Sequence, residues 1–134
     1  MFNMNQLPMD IARAVQSVKG LADPTRLRLL ALLGHGELTV GEISRVLGHS
    51  QPRVSRHLRM LSEAGFLERF REKQCVYYRA PPAGARAGWL RELLAAIDPE
   101  DPELQRDRAR LGLVVGERAS AAARTRKRAA EVSA

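Results

Sequence analysis

The residues best equipped for chemistry lie between Ser50 and Gly65, in the run S-Q-P-R-V-S-R-H-L-R-M-L-S-E-A-G. At helical spacing Val54, Leu58 and Leu61 share one face, whose only use is to pin the segment to a core. Ser50 is a suitable N-cap, Pro52 falls in the first turn where its missing N–H is not needed, and Gly65 ends the helix. Gln51, Arg53, Ser55, Arg56, His57 and Arg59 are left pointing outward, with Ser50 at their head. The set is rich in donors and cations and contains no carboxylate before Glu63. A helix anchored on one side and displaying such groups near its N-terminus suits a DNA major groove. Arg53 or Arg56 matches guanine O6 and N7, Gln51 matches adenine, and Ser55 and His57 can reach bases or phosphate. The alternative is a solvated basic helix face with no partner.

Several elements must position that helix. Thr39-Val40-Gly41-Glu42 has capping-box spacing, and Ile43, Val46 and Leu47 follow on one face before Gly48. Two helices joined by a short glycine-containing turn form a helix-turn-helix pattern. After Gly65 the period changes to two strand-like runs, residues 67–71 and 75–79, separated by Glu72-Lys73-Gln74. A hairpin in that place makes a wing, which Arg69, Arg71, Lys73 and Arg79 render basic; Arg71 and Lys73 are its candidate DNA contacts. Upstream, residues 9–21 carry a helical stripe of Ile11, Ala14, Val15 and Val18. Asp23-Pro24 then opens a helix over residues 25–33 that is leucine-rich on more than one side, as expected of a helix sandwiched between others. Gly34-His35-Gly36 breaks it, and residues 37–39 read as either a short strand or a connection.

Downstream, Pro81-Pro82-Ala83-Gly84 reads as a linker. A helix with Trp89, Leu90, Leu93, Leu94 and Ile97 on its apolar face follows, and residues 98–103 are an acidic, proline-punctuated break. Leu104, Leu111, Val114, Val115 and Arg118 keep rough helical spacing, weakened by Gly112 and Gly116. The tail from Ala119, with Arg124, Arg126, Lys127 and Arg128, reads as either a frayed helix or a disordered segment. That basic cluster reads more readily as a solvated tail than as a second binding site.

Composition narrows the class. The 134 residues, 45% of them hydrophobic, suit one modest core. We divide them into a DNA-binding and dimerisation domain over 1–97 and a helical extension with a basic tail over 98–134. Twenty-two basic against fifteen acidic residues give a net charge of +7, so polyanions are the natural partners, nucleic acid before an anionic membrane surface. No run approaches the roughly 18 apolar residues of a membrane span, and the N-terminus lacks a signal-peptide layout, so a cytoplasmic location is expected. The single cysteine, Cys75, excludes an internal disulfide. It is expected as a small half-buried residue of a wing strand, with an oxidisable thiol beside Lys73 and Arg79 as the other reading. His35, His49 and His57 show no metal-ligand spacing, and no catalytic motif is present. We therefore expect no enzyme, no metal site and no cofactor.

The run Leu21-Ala22-Asp23-Pro24-Thr25-Arg26-Leu27-Arg28-Leu29-Leu30 resembles the opening of ArsR-type winged-helix repressors. Ser50 to Leu58 and the wing ending Val76-Tyr77-Tyr78-Arg79 are similar to the same family in consistent order. The resemblance implies a mainly α fold with a small β-hairpin, a winged helix-turn-helix that dimerises through its N- and C-terminal helices. It also implies a homodimer bound to inverted-repeat double-stranded DNA and released by an effector. The stripes Ile11, Val15, Val18 and Trp89, Leu93, Ile97 suit that dimer interface, although periodicity equally describes an intramolecular core. Metal-sensing members carry a C-x-C pair where this chain has Glu37 to Glu42, so thiolate-dependent metal sensing is not expected. Asp107-Arg108-Ala109-Arg110-Leu111 and Glu117-Arg118-Ala119 look like the linker of members fused to a methyltransferase. That resemblance implies S-adenosylmethionine or S-adenosylhomocysteine as effector. Rival readings are a regulatory module of a longer methyltransferase-type protein and a protein-interaction module on a winged-helix fold.

Overall fold

The computed structural model describes residues 8–80 and 85–133, with the side chains of residues 85–87 left aside. Among these the order is α1 (Ile11–Leu21), α2 (Pro24–Leu33), β1 (Leu38–Thr39), α3 (Val40–Leu47), α4 (Gln51–Glu63), β2 (Glu68–Glu72), β3 (Cys75–Arg79), α5 (Ala85–Ala95) and α6 (Pro102–Ser133). The expected linker over residues 81–84 lies outside the described residues.

Local chemistry sets the helix boundaries. The Asp10 and Asp23 carboxylates accept the backbone N–H groups of Arg13 and Arg26 at 2.8 and 2.9 Å, which caps α1 and α2. Thr39 and Glu42 form a reciprocal capping box at α3, each accepting the other's backbone N–H, at 3.2 and 2.9 Å. Gly48 ends α3 with φ +72°, and Gly65 follows α4 with φ +80°, both left-handed conformations that glycine adopts without a Cβ clash.

The three strands form an antiparallel sheet in the order β1-β3-β2, so residues 37–39 include a strand as well as a connection. Leu38 faces Tyr78, and Phe70 faces Tyr77, against which it stacks with ring centroids 5.6 Å apart. Arg79 extends over the Phe70 ring and pairs with Glu68 at 2.9 Å, which closes the base of the wing. Lys73 sits at the wing tip with φ +56°, unusual for a residue with a side chain.

The core joins Leu29, Leu30, Leu32 and Leu33 of α2 to Ile43, Val46 and Leu47 of α3, to Val54, Leu58 and Leu61 of α4, and to Phe66. α2 is the sandwiched helix its leucines announced. In the C-terminal segment residues 102–133 form one continuous helix, so of the two readings of the tail the helical one describes it. Its first half shares the core through Val114 and Leu111 and packs on α2 and α3. That burial outweighs the helix-weakening glycines Gly112 and Gly116, which face open space.

Candidate nucleic-acid interface

The site is anchored through the apolar face of α4. Val54, Leu58 and Leu61 have no solvent exposure, and each contributes about 1.5–3 kcal/mol by leaving water. With that face fixed, Gln51, Arg53, Arg56 and Arg59 are exposed, and Ser55 and His57 are half-buried. Ser50 is exposed and its hydroxyl accepts the Arg53 N–H at 3.4 Å, so it acts as the cap. Arg71 and Lys73 are exposed on the wing.

The ion pairs divide the arginines into two groups. Arg28, Arg45, Arg79, Arg106 and Arg118 each meet a carboxylate. Arg53, Arg56 and Arg59 meet none among the described residues, so α4 offers three guanidinium groups without a competing anion. Arg79, counted with the wing cations from sequence, is engaged by Glu68.

His57 is held differently from its neighbours. It leans on α2, where a guanidinium nitrogen of Arg26 lies 3.5 Å from its Nδ1. Burial first, with Arg26, Arg53 and His49 adding to it against the opposing pull of Asp23, lowers its pKa and favours the neutral ring. Arg26 also donates to the carbonyl oxygens of Gly20 at 2.7 Å and Lys19 at 3.4 Å at the end of α1. One side chain therefore touches both α1 and α4. Sequence periodicity carries no sign of that link.

The candidate dimer residues separate into two sets. Ile11 is 84% exposed, and Val15, Val18 and Leu93 are also exposed, so the described residues leave these apolar groups partly or largely uncovered. Trp89 is half-buried and meets Phe66 edge-on at 6.0 Å, while half-buried Ile97 lines a cavity of about 390 Å³ between α2, α5 and α6. Cys75 is exposed, contrary to the expected half-buried position. It pairs with Glu72 at the wing tip, beyond the part of the sheet that the core covers. Among the described residues no group of acidic, histidine or cysteine side chains is placed to hold a metal ion.

Sequence reasoning missed how α6 grips the helix-turn-helix. Arg28 donates to both carboxylate oxygens of the buried Asp107, at 2.9 and 2.8 Å, and to the carbonyl of Leu47 at 3.3 Å. Arg110 donates to the carbonyl of Val46 at 3.2 Å. Arg118 pairs with Glu42, donates to the carbonyl of Glu37 at 3.3 Å and lies over the Tyr77 ring. Of the residues that carried the methyltransferase-linker resemblance, Asp107, Arg110, Leu111, Glu117 and Arg118 are thus occupied in docking α6.

Glu42 belongs to both the capping box and this contact. Burial alone pushes its carboxyl up, but the hydrogen bonds from Arg118 and Thr39, with the Arg118 charge, outweigh burial and hold it below the ordinary value. A depressed folded pKa contributes stability above the unfolded value, about 4.3, which is lost as pH falls through the folded one. Glu42→Gln keeps the cap and removes the charge. It should cost about 1 kcal/mol at pH 7 in urea unfolding, and the gap should start to shrink as pH falls below the unfolded value and vanish once pH has passed the folded one.

Residues 23–69 match the model of bacterial regulatory proteins of the arsR family. The arsenic resistance transcriptional regulator ArsR1 of Pseudomonas putida is 42% identical over 102 residues, covering 75% of this chain and 77% of that protein. The chain belongs to the ArsR family. The arsenical resistance operon repressor of Escherichia coli is 41% identical over 75 residues, which span 55% of this chain and 64% of that repressor. Among solved structures, the transcriptional repressor BigR of Xylella fastidiosa superposes with a TM-score of 0.57 at 32% identity, covering 63% of this chain and 82% of that one. A homodimeric winged helix-turn-helix DNA-binding domain from Mycobacterium bovis also has a TM-score of 0.57, at 26% identity, covering 71% of this chain and 93% of that one. The ArsR-family fold is therefore a winged helix-turn-helix, and the protein is a DNA-binding transcriptional regulator. No enzymatic family is indicated, and no helix among the described residues is long and apolar enough to cross a membrane.

Proposed function

We propose that this ArsR-family chain is a dimeric repressor that binds an inverted-repeat operator through α4 and the wing, and that an effector releases it. The carrying observation is the α4 surface, where Gln51, Arg53, Arg56 and Arg59 stand exposed above a fully buried stripe. In this reading two recognition helices enter successive major grooves, with half-sites about 34–36 Å apart. Phosphate contacts supply most of the affinity, and Arg53 and Arg56 select bases. Ser50, Gln51, Ser55, His57, Arg59, Arg71 and Lys73 complete the contact surface.

Dimerisation uses the uncovered apolar side chains of α1 together with Leu93, while Trp89 and Ile97 form the border between that interface and the core. The homodimeric Mycobacterium bovis neighbour supports this reading. Arg26, on α2, bridges the end of α1 to His57, a link through which a change in dimer geometry can reach α4. Such coupling is typically worth about 1–3 kcal/mol.

Two relatives are named for arsenic resistance. With Cys75 as its one cysteine, this chain cannot supply two thiolates to a single ion, so we assign it an effector held by other means. S-adenosylmethionine or S-adenosylhomocysteine enters through the C-terminal resemblance. A concentration-dependent rise in Tm with S-adenosylhomocysteine supports that effector, and an unchanged Tm removes it.

Titrating the purified protein with random-sequence duplex DNA at low and moderate salt tests the DNA-binding reading. Binding that weakens steeply with salt is expected. Absence of binding at low salt would favour a protein-interaction module instead.

The wing makes a separate prediction. Lys73→Gly removes the charge and also the left-handed strain of a side chain at φ +56°, worth about 1–2 kcal/mol. The variant should be at least as stable as the parent, and its salt slope should fall by about one unit. An unaltered slope takes the wing tip off the DNA.

A further inference from the structure

α6 runs antiparallel to α3. Arg110 meets Val46 near the C-terminal end of α3, and Arg118 meets Glu42 in its first turn. Moving along α6 therefore leads back toward the N-terminus of α3. That end lies beside the start of the recognition helix, because a Cβ built on Gly41 would stand 3.6 Å from Gln51 Nε2. In a helix-turn-helix the first helix crosses the DNA backbone. α6 consequently leaves the domain at the DNA-facing end and continues for fifteen residues, about 22 Å, past Arg118.

This continuation, residues 119–133, carries Arg124, Arg126, Lys127 and Arg128 against the single carboxylate of Glu131. All are exposed and make no ion pair among the described residues. Their direction follows from helix geometry. Arg128 is eighteen residues beyond Arg110, five full turns and about 27 Å, so it projects from the side that upstream faces α3. Arg124 is seven residues beyond Glu117, which pairs with Arg45 of α3, and shares that side to within about 20°. Past the end of α3 that side is open. Ala119, Ala121, Ala122, Ala123, Ala129 and Ala130 favour continued helix on a nucleus already fixed by docking.

We propose that the distal half of α6 is a basic arm that grips DNA phosphates flanking the sequence read by α4. The proposal rests on the DNA-binding reading above and adds a second contact element to it. Charge complementarity and continuity with the α3–α4 surface select duplex DNA as the occupant, in preference to an acidic protein.

The test compares the full chain with Arg124→Gln/Arg126→Gln/Lys127→Gln/Arg128→Gln, which keeps helix propensity and removes four charges. The duplexes carry an operator selected from genomic fragments, with flanks either trimmed to the half-sites or extended by a helical turn on each side. Fluorescence anisotropy is recorded across a salt series, and circular dichroism checks helix content. The wild-type chain should bind the extended duplex with a steeper salt slope, by about two to three units per protomer. The glutamine variant should lose that difference and still bind the trimmed duplex as the parent does. A companion variant with Arg124, Arg126 and Arg128 each changed to lysine should keep the difference, which separates charge from helix loss. Equal slopes on both duplexes for the wild-type chain, or an unchanged difference in the glutamine variant, would overturn the arm while leaving α4 recognition in place. Failure of the wild-type chain to bind even the trimmed duplex would overturn both readings.

Discussion

Arg28→Ala should destabilise the fold by about 3–5 kcal/mol, a large share of the roughly 5–15 kcal/mol that holds a typical domain together. Asp107 is only 3% exposed, and the Arg28 guanidinium supplies both of its hydrogen bonds. Those bonds, with the nearby carboxylate charges, outweigh burial and raise the Arg28 pKa, so the guanidinium keeps its charge. Removing the guanidinium leaves a buried carboxylate without a counter-charge and deprives the Leu47 carbonyl of a donor at the helix-turn-helix corner. The apolar double variant Arg28→Met/Asp107→Leu should recover most of the loss, since a buried pair costs desolvation that a well-packed apolar pair avoids. Urea midpoints and slopes for both variants check this. A change below about 1 kcal/mol in the single variant would mean that the Arg28–Asp107 pair adds little to the apolar contacts of Leu111 and Val114 and the contacts of Arg110 and Arg118 that also hold α6.

The second large effect concerns DNA. Arg53→Ala combined with Arg56→Ala should weaken operator binding by about 2–6 kcal/mol per half-site, at roughly 1–3 kcal/mol for each lost base contact. Discrimination against mutated operators should relax by a similar factor, while binding to random duplex falls much less. Neither side chain touches the buried stripe, so stability should change little. Competition binding against operators with single base changes separates lost base recognition from a general loss of phosphate attraction. Retained affinity in the double variant would remove these arginines from the recognition surface.

The features legible from sequence were those written in neighbouring residues. Thr39 with Glu42, Asp23 with Pro24, and Gly48 and Gly65 each act within one turn, so their caps and stops could be placed directly. The Val54, Leu58, Leu61 stripe fixed which side of α4 is buried, and hence which side is free. What periodicity cannot name is the partner of a face. Arg28 and Asp107 are 79 residues apart, and nothing local marks either as half of a buried pair. The same holds for Arg26, which bridges α1 and His57, and for the docking of α6 on α3. Cys75 was misplaced because strand alternation assigns a side of the sheet and says nothing of where the core stops covering it. The tail was undecidable from composition alone. Its helix continues from a docked segment, and docking is a tertiary event that alanine content favours without determining.

Guanine-N7 methylation interference on the selected operator bears most directly on the claim that α4 reads the major groove. For the wild-type chain, two clusters of interfering guanines should lie about 10–10.5 base pairs apart, with one guanine in each half-site losing its interference in Arg53→Ala or Arg56→Ala. An interference pattern identical in the wild-type chain and both variants would contradict it.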